Sequence, residues 1–366
     1  MDIGKFSGRL GLQQRVLPSY RVPFFDLLAG SCEGGMSLFA GMAMEEESVK
    51  AGKLQIANYR LGENVHLFRG AFYLCYQKGL LNWLTDWNPD ALIMEANPRY
   101  LATPSAVKWM HARGRKVIGW GLGAPIASSP SPVFGRGIGV RAWQRFVNQF
   151  DAMISYSQRG ADEYAALGFP REKIFVAHNS VAPRPTFNVQ RSTLNAQPAI
   201  IFVGRLQARK RVDWLLRCCA EMESSPRLVI VGDGPERERL EALAKAIYPA
   251  AEFVGAMHGA ELTPYFLQAD LFVLPGTGGL AVQEAMAHGL PVIVAKGDGT
   301  QDDLVRAGNG WQIPPEEYGA LVQVTREALS DVSRLRRMGE ESLRIVTEEI
   351  NIEKMVEAFV RALNSI

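Results

Sequence analysis

Along the second half of the chain, short β-branched runs alternate with segments whose apolar residues recur every three or four positions. The runs AIIFVG (199–204), RLVIVG (227–232), AEFVG (251–255), LFVLP (271–275) and PVIVA (291–295) read as strands. Helical patterns fill 211–223, 235–247, 260–268 and 280–288 between them. Strands that are apolar throughout suit a parallel sheet buried on both faces, with the intervening helices as crossovers.

The first half repeats this alternation less cleanly. Strands are predicted at 9–16, 36–41, 91–95, 116–121, 152–157 and 173–179, and helices at 22–30, 71–85, 104–113, 138–149 and 158–167. The stretch SVAPRPTFNVQRSTLNAQP (180–198), rich in Pro and polar residues, separates the halves. The pattern predicts an α/β protein of two Rossmann-like, doubly wound domains facing an interdomain cleft: an N-terminal domain over 1–185 and a C-terminal one over 186–350. A last helix, 351–366, is expected to pack back onto the first domain.

Length agrees, since 366 residues exceed what one ordinary core accommodates. Apolar residues make up 47% and charged ones 21%, a globular balance, and no apolar run approaches the ~20 residues of a membrane span. The opening residues lack the layout of a secretory leader. Cys32, Cys75, Cys218 and Cys219 show no C-x-x-C spacing and read as reduced, buried thiols. A cytoplasmic location is expected on these grounds. The net charge of +2 hides an asymmetry: 21 Lys/Arg against 14 Asp/Glu in 1–190, but 19 against 24 in 191–366. A basic first half suits an anionic acceptor or surface as well as it suits simple surface drift.

Three stretches follow predicted strands, where doubly wound folds bind ligands. In GRLQARKRVDWLL, Arg205 and Lys210 stand after Gly204 and before a helix, a cationic clamp suited to a diphosphate. In VIVGDGPERERLEAL, Gly232 to Gly234 lack the G-x-G-x-x-G spacing, and Pro235 with Glu236 explain the stretch as a helix start. In PGTGGLAVQEAMAHGLPVIVA, Gly276, Thr277, Gly278, Gly279 and Leu280 form a side-chain-poor loop whose amides suit an anion. Glu284 lies a turn further on, where one carboxylate can accept from two adjacent hydroxyls, as on a ribose.

Taken in this order, the three stretches resemble the donor-binding domain of the retaining nucleotide-sugar glycosyltransferases of family 4, which have the two-domain GT-B fold. GRLQARKRVDWLL is similar to that family's G-R-x-x-x-x-K-x-x-x-x-L-L segment, and AEFVGAMHGAELTPYFLQADLFVLP and GGLAVQEAMAHGLPVI follow at its spacing. YSQRGADEYAALGFPREKIFVAHNSV resembles the approach to its linker. The resemblance is good over roughly 150–340 and weak before 120.

It implies that Arg205 and Lys210 hold the diphosphate and stabilise the leaving group, and that Glu284 accepts from the ribose. It further implies that the main chain near Met257 pairs with the base, and that 276–280 cradles phosphate and the sugar's polar edge. Two departures stand out. Gly276 occupies the place of the first of the family's paired acids, eight residues before Glu284. After KVIGWG the expected histidine is missing, the chain reading Trp120, Gly121, Leu122, Gly123. LPSYRVPFF replaces the N-terminal Gly-rich loop, with Arg21 as a source of charge.

The implied activity is metal-independent, retaining transfer of a hexose-type sugar, with no cofactor beyond the donor. The donor is a UDP-sugar or GDP-sugar, and the acceptor a saccharide or lipid-linked saccharide of polysaccharide or glycolipid synthesis. No nucleic-acid partner is expected. A non-catalytic nucleotide binder and a nucleotide-sugar epimerase on the same fold are the alternatives. Two further features carry rival readings. Asp298, Asp302 and Asp303 suggest a metal, but Thr300 or Asp298 capping a helix explains them. Val140, Trp143, Phe146 and Phe150 form a stripe beside Arg141 and Arg145, suited either to a core-facing helix or to peripheral contact with an anionic membrane through 138–150.

Overall fold

The computed structural model describes residues 4–44, 51–124, 138–185, 197–297 and 299–366. It divides into two compact units, Met1–Val181 with Ile352–Ile366, and Ala182–Asn351.

The first unit is built on an eight-stranded sheet. Its strands are β1 (Leu10–Val16), β2 (Met36–Gly41), β3 (Asn58–Leu67), β4 (Leu74–Lys78), β5 (Ala91–Glu95), β6 (Lys116–Gly121), β7 (Ala152–Ser155) and β8 (Ile174–Val176). They lie in the order β4-β3-β2-β1-β5-β6-β7-β8. Every pairing is parallel except that of β3 with β4. The helices are α1 (Val22–Gly30), α2 (Leu80–Trp87), α3 (Thr103–His111), α4 (Ile138–Val147) and α5 (Gln158–Ala166). The C-terminal helix Ile352–Asn364 buries Met355, Val356, Phe359 and Leu363 among Phe24, Phe25 and Trp120. Phe359 meets the Phe24 and Trp120 rings at centroid distances of 4.9 Å each.

The sequence pattern erred here over 71–85. It merges a strand and a helix, because the apolar period of α2 extends backwards over Leu74 to Lys78. Gly79, at φ +84°, interrupts the helix and lets the chain turn from β4 into α2. Strand β3 was not predicted either; most of its residues are exposed, so it has no continuous apolar run.

The aromatic stripe of 138–150 belongs to the core. Trp143, Val147 and Phe150 are buried, and the rings of Trp143, Phe146 and Phe150 stack edge-on in succession. Arg141 and Arg145 point outward.

The second unit carries β9 (Ala199–Val203), β10 (Arg227–Val231), β11 (Glu252–Gly255), β12 (Leu271–Leu274), β13 (Val292–Ala295) and β14 (Gly310–Ile313), all parallel, in the order β11-β10-β9-β12-β13-β14. Its helices are α6 (Val212–Ala220), α7 (Arg237–Ile247), α8 (Thr263–Gln268), α9 (Ala281–Ala287), α10 (Thr300–Leu304), α11 (Tyr318–Ser330) and α12 (Val332–Glu348). Every residue of β9, β12 and β13 is buried, as a sheet covered on both faces requires. Strand β14 escaped prediction because GWQI is only four residues long and its two middle positions are half-buried, which leaves no apolar run. Cys32, Cys75, Cys218 and Cys219 are buried free thiols.

Helix α10 starts from Gly299 at φ +94° with no side-chain cap, so Thr300 is a helical residue and not the cap; Asp298 lies outside the described residues. Among the described residues, no three His, Cys, Asp or Glu side chains gather as a metal site needs. No helix among them is long and apolar enough to cross a membrane.

Candidate functional site

In the second unit the strand order reverses between β9 and β12. Loops leaving the carboxyl ends of those two strands therefore diverge to opposite faces and leave room for a ligand. Residues 204–211 form the first loop and 275–280 the second, so the fold brings Arg205, Lys210 and the Gly-rich stretch to one place.

The loops are joined at their backbones. Thr277 N donates to Arg209 O at 3.1 Å. A Cβ built on Gly276 would lie 2.0 Å from Arg209 O and 2.5 Å from Lys210 Cα, so only glycine permits this approach. The first loop is pinned from its other side too: Leu206 N donates to Asp233 O at 2.9 Å, and Glu236 N to Leu206 O at 3.1 Å. Gly234 serves that contact, since a Cβ there would stand 2.4 Å from Leu206 O, and a Cβ on Gly232 would stand 1.9 Å from Gly204 O. The Gly-Asp-Gly stretch is thus a structural brace, which is the reading its spacing favoured.

Lys210 is buried, and its ammonium donates to Thr277 O at 2.9 Å and to Gly278 O. Burial and the neighbouring Arg209 push its pKa down to about 8. The expected diphosphate clamp is therefore turned onto carbonyls of the Gly-rich loop, whose amides alone had figured in the sequence argument. Arg205 is exposed and makes no hydrogen bond or ion pair among the described residues. Arg209, which the sequence reading passed over, donates from Nη1 to Thr277 O at 3.2 Å and from Nε to Gln207 Oε1 at 3.0 Å. The signal for it was present as three consecutive cations, Arg209 to Arg211.

Glu284 sits in the first turn of α9, half-buried, and burial raises the pKa of its carboxyl. Its side chain makes no hydrogen bond among the described residues. Behind it, the His288 ring Nδ1 lies 2.8 Å from Glu284 O, Nε2 lies 3.2 Å from Thr263 Oγ1, and the ring stacks on Phe266. His288 is accordingly a packing residue. Met257 is half-buried just beyond β11, and His258 next to it caps the following turn together with Glu261. Gly279 and Leu280 complete the second loop ahead of α9.

The first unit has its own reversal point, between β1 and β5. Glu95 ends β5, and its Oε2 accepts from Arg15 N at 2.6 Å while Glu95 N donates to Gln13 Oε1 at 3.1 Å. Burial pushes the Glu95 pKa up to about 7 against the opposing pull of Arg15 and Arg21. The loop after β5 crosses to β4, where Cys75 N donates to Arg99 O at 2.9 Å and Leu101 N to Cys75 O at 2.9 Å. Arg21 is not an open cation here. It is buried, donates to Asn179 Oδ1 and, at 3.4 Å, to Ser180 O, and lies 5.5 Å from the Trp120 ring centroid. Gly121 ends β6 and accepts from Tyr156 N at 3.1 Å.

Residues 197–331 match the family model described as Glycosyl transferases group 1. A GDP-mannose-dependent alpha-mannosyltransferase of Mycobacterium tuberculosis (strain CDC 1551 / Oshkosh) is 30% identical over 260 residues, covering 65% of this chain and 64% of that protein. Sulfoquinovosyl transferase SQD2 of Arabidopsis thaliana is 38% identical over 141 residues, 37% of this chain and 27% of that protein. The chain thus spans less than two thirds of these relatives. Among solved structures, Anabaena Alr3699/HepE in complex with UDP superposes with a TM-score of 0.69 at 15% identity, covering 98% of this chain and 100% of that one. Sucrose-phosphate synthase from Thermosynechococcus elongatus gives 0.69 at 16% identity, covering 98% of each. The fold is GT-B, two parallel-sheet Rossmann-like domains, and the match to the Glycosyl transferases group 1 model lies within the second unit.

Proposed function

We propose that the protein is a retaining, metal-independent glycosyltransferase of the family-4 kind. In this reading it moves a hexose-type sugar from a nucleoside diphosphate to a saccharide or lipid-linked saccharide acceptor. One observation carries the proposal: at the strand-order reversal of the second unit, the loop bearing Arg205 and Lys210 meets the Gly-rich loop that leads into the helix of Glu284. The mannosyltransferase relative is GDP-mannose-dependent by name and the HepE structure holds UDP, so both nucleotides are donors to test.

In such a transfer the bond from the anomeric carbon to phosphate oxygen breaks as the acceptor oxygen bonds to that carbon on the same face. The acceptor's proton passes to the departing phosphate oxygen. The protein then has chiefly to fix geometry and to stabilise charge growing on the diphosphate. Arg205 and Lys210 would supply that charge, Lys210 exchanging loop carbonyls for phosphate. Glu284 would accept from the ribose hydroxyls, the backbone near Met257 would meet the base, and the loop 276–280 would lie along phosphate and sugar. We assign acceptor binding, and any peripheral membrane contact, to the first unit.

The capture of Lys210 by Thr277 O and Gly278 O favours a second reading, a nucleotide binder without turnover. Calorimetric titration with UDP, GDP and ADP tests the donor site, with saturable binding of one nucleotide expected and its loss in Glu284→Ala. Incubation with the matching nucleotide sugars and NMR of the product then separates the readings. A new glycosidic bond with the donor's anomeric configuration supports transfer, and binding without product supports the second reading.

A further inference from the structure

The charges around the two loops do not balance for a neutral sugar. Residues 204–211 and 275–283 contain Arg205, Arg209, Lys210 and Arg211 and no Asp or Glu. Arg211 is neutralised: its guanidinium lies 3.7 Å from Asp213 and 3.4 Å from Glu316, and it stacks over Trp214. Asp233, on the neighbouring loop, pairs with Arg237 at 3.3 Å. Arg205, Arg209 and Lys210 have no carboxylate partner among the described residues.

The excess cation stands at the Gly-rich loop. Arg209 lies across Thr277, and Arg209 Nη1 is 3.4 Å and Lys210 Nζ 4.0 Å from where a Cβ on Gly278 would be. No acid can be placed there from position 276, because the backbone of Arg209 and Lys210 fills the space beside Gly276. Glu284 is the nearest carboxyl to the Gly-rich loop along the chain, and it makes no ion pair with Arg205, Arg209 or Lys210 among the described residues. A nucleoside diphosphate bound to a neutral hexose brings about two negative charges, which Arg205 and Lys210 match. Arg209 is then left facing the sugar end of the loop without a counter-charge.

We propose that Arg209 determines donor specificity, and that the transferred sugar carries an acidic group, a carboxylate or sulfonate, held by the Arg209 guanidinium over the 276–279 loop. This rests on the donor-site reading above. A planar guanidinium with fixed donors suits a carboxylate better than a hydroxyl, and such charge-assisted pairs are the stronger hydrogen bonds.

The test is calorimetric competition on the full chain with UDP, UDP-glucose and UDP-glucuronate, and in parallel GDP, GDP-mannose and GDP-mannuronate. The acidic sugar nucleotide is expected to bind about tenfold tighter, or more, than its neutral counterpart. Arg209→Gln should bring the two within about twofold while the affinity for the free nucleoside diphosphate persists. Arg209→Lys should retain part of the preference, since the charge stays and the fork is lost. If free UDP or GDP binds but the neutral sugar nucleotide binds as tightly as the acidic one, Arg209 has no such role. A preference that survives in Arg209→Gln would equally assign it elsewhere. If neither UDP nor GDP binds, the donor site itself is wrong and this assignment falls with it.

Discussion

Gly276→Ala probes the joint between the two loops with a single methyl group. The added Cβ would lie 2.0 Å from Arg209 O, 2.5 Å from Lys210 Cα and 2.6 Å from Lys210 C. All three are backbone atoms, so no rotamer change relieves the clash and the loop has to move by about an ångström. That displacement breaks the bond from Thr277 N to Arg209 O, 3.1 Å long, and loosens Lys210 Nζ from Thr277 O at 2.9 Å. Overpacking costs about 1–3 kcal/mol and a lost backbone bond about 1 kcal/mol. Water recovers part of the Lys210 interaction once the loop lifts, so the net cost is about 2–4 kcal/mol.

If the whole cost reached the global unfolding of the second unit, Tm would fall by about 4–16 °C. The cheaper response is local, and the loss then appears mainly in ligand affinity. We expect a Tm drop in the lower half of that range and at least about a tenfold loss of nucleoside diphosphate affinity, since 1.4 kcal/mol corresponds to tenfold. Gly276→Glu should do no better than Gly276→Ala, because the obstruction begins at Cβ; it does not restore a sugar contact. Gly319→Ala is the control. Gly319 lies in α11 with nothing within 4 Å of a built Cβ, and the change should be neutral or stabilising by about 0.5–1 kcal/mol. Scanning calorimetry and nucleotide titration on the three variants decide the matter. Parent-like Tm and affinity in Gly276→Ala would refute the steric argument.

Further outcomes follow from the same geometry. Glu284→Ala should weaken nucleotide binding by more than about tenfold by titration, while Arg205→Ala should mainly depress kcat; parent-like behaviour in both would remove the donor site from this place. Lys210 titrates near 8, below its unfolded value, so a diphosphate that needs the ammonium should bind more weakly as pH rises through about 8, and Lys210→Arg should flatten that profile up to about pH 9. The same depression makes the charged Lys210 a liability to folding at neutral pH, one relieved between about 8 and the unfolded value near 10.5, so its contribution to stability should rise with pH across that window. Glu95 shows the opposite sign: its raised pKa means that stability falls as pH climbs from the ordinary carboxylate value of 4.5 through about 7, and Glu95→Gln should raise Tm at pH 8 by about 2–4 °C with no gain at pH 4.

What the sequence revealed and what it hid divide along one physical line. Strands β9, β12 and β13 were legible because both their faces are buried, which leaves uninterrupted apolar runs bounded by Gly, Pro and helix starts. Strand β3 was hidden because it is exposed over Tyr59, Leu61 and Leu67, mixing polar and aromatic residues without a clean period, and β4 because its residues continue the apolar period of α2. The site followed the same rule. Arg205, Lys210, the loop 276–280 and Glu284 were readable as residue types at strand ends, and the strand-order reversal explains why the 204–211 and 275–280 loops meet.

Their orientation was not readable. That Lys210 faces carbonyls of the Gly-rich loop, and that backbone fills the space beside Gly276, depend on contact between residues 67 positions apart in the chain, Lys210 and Thr277. A one-dimensional motif records which side chain is absent at a position; only the fold shows whether any side chain could stand there. At Gly276 none can while the backbone of Arg209 and Lys210 stays where it is, so the joint between the two loops is by itself a sufficient reason for glycine at that position.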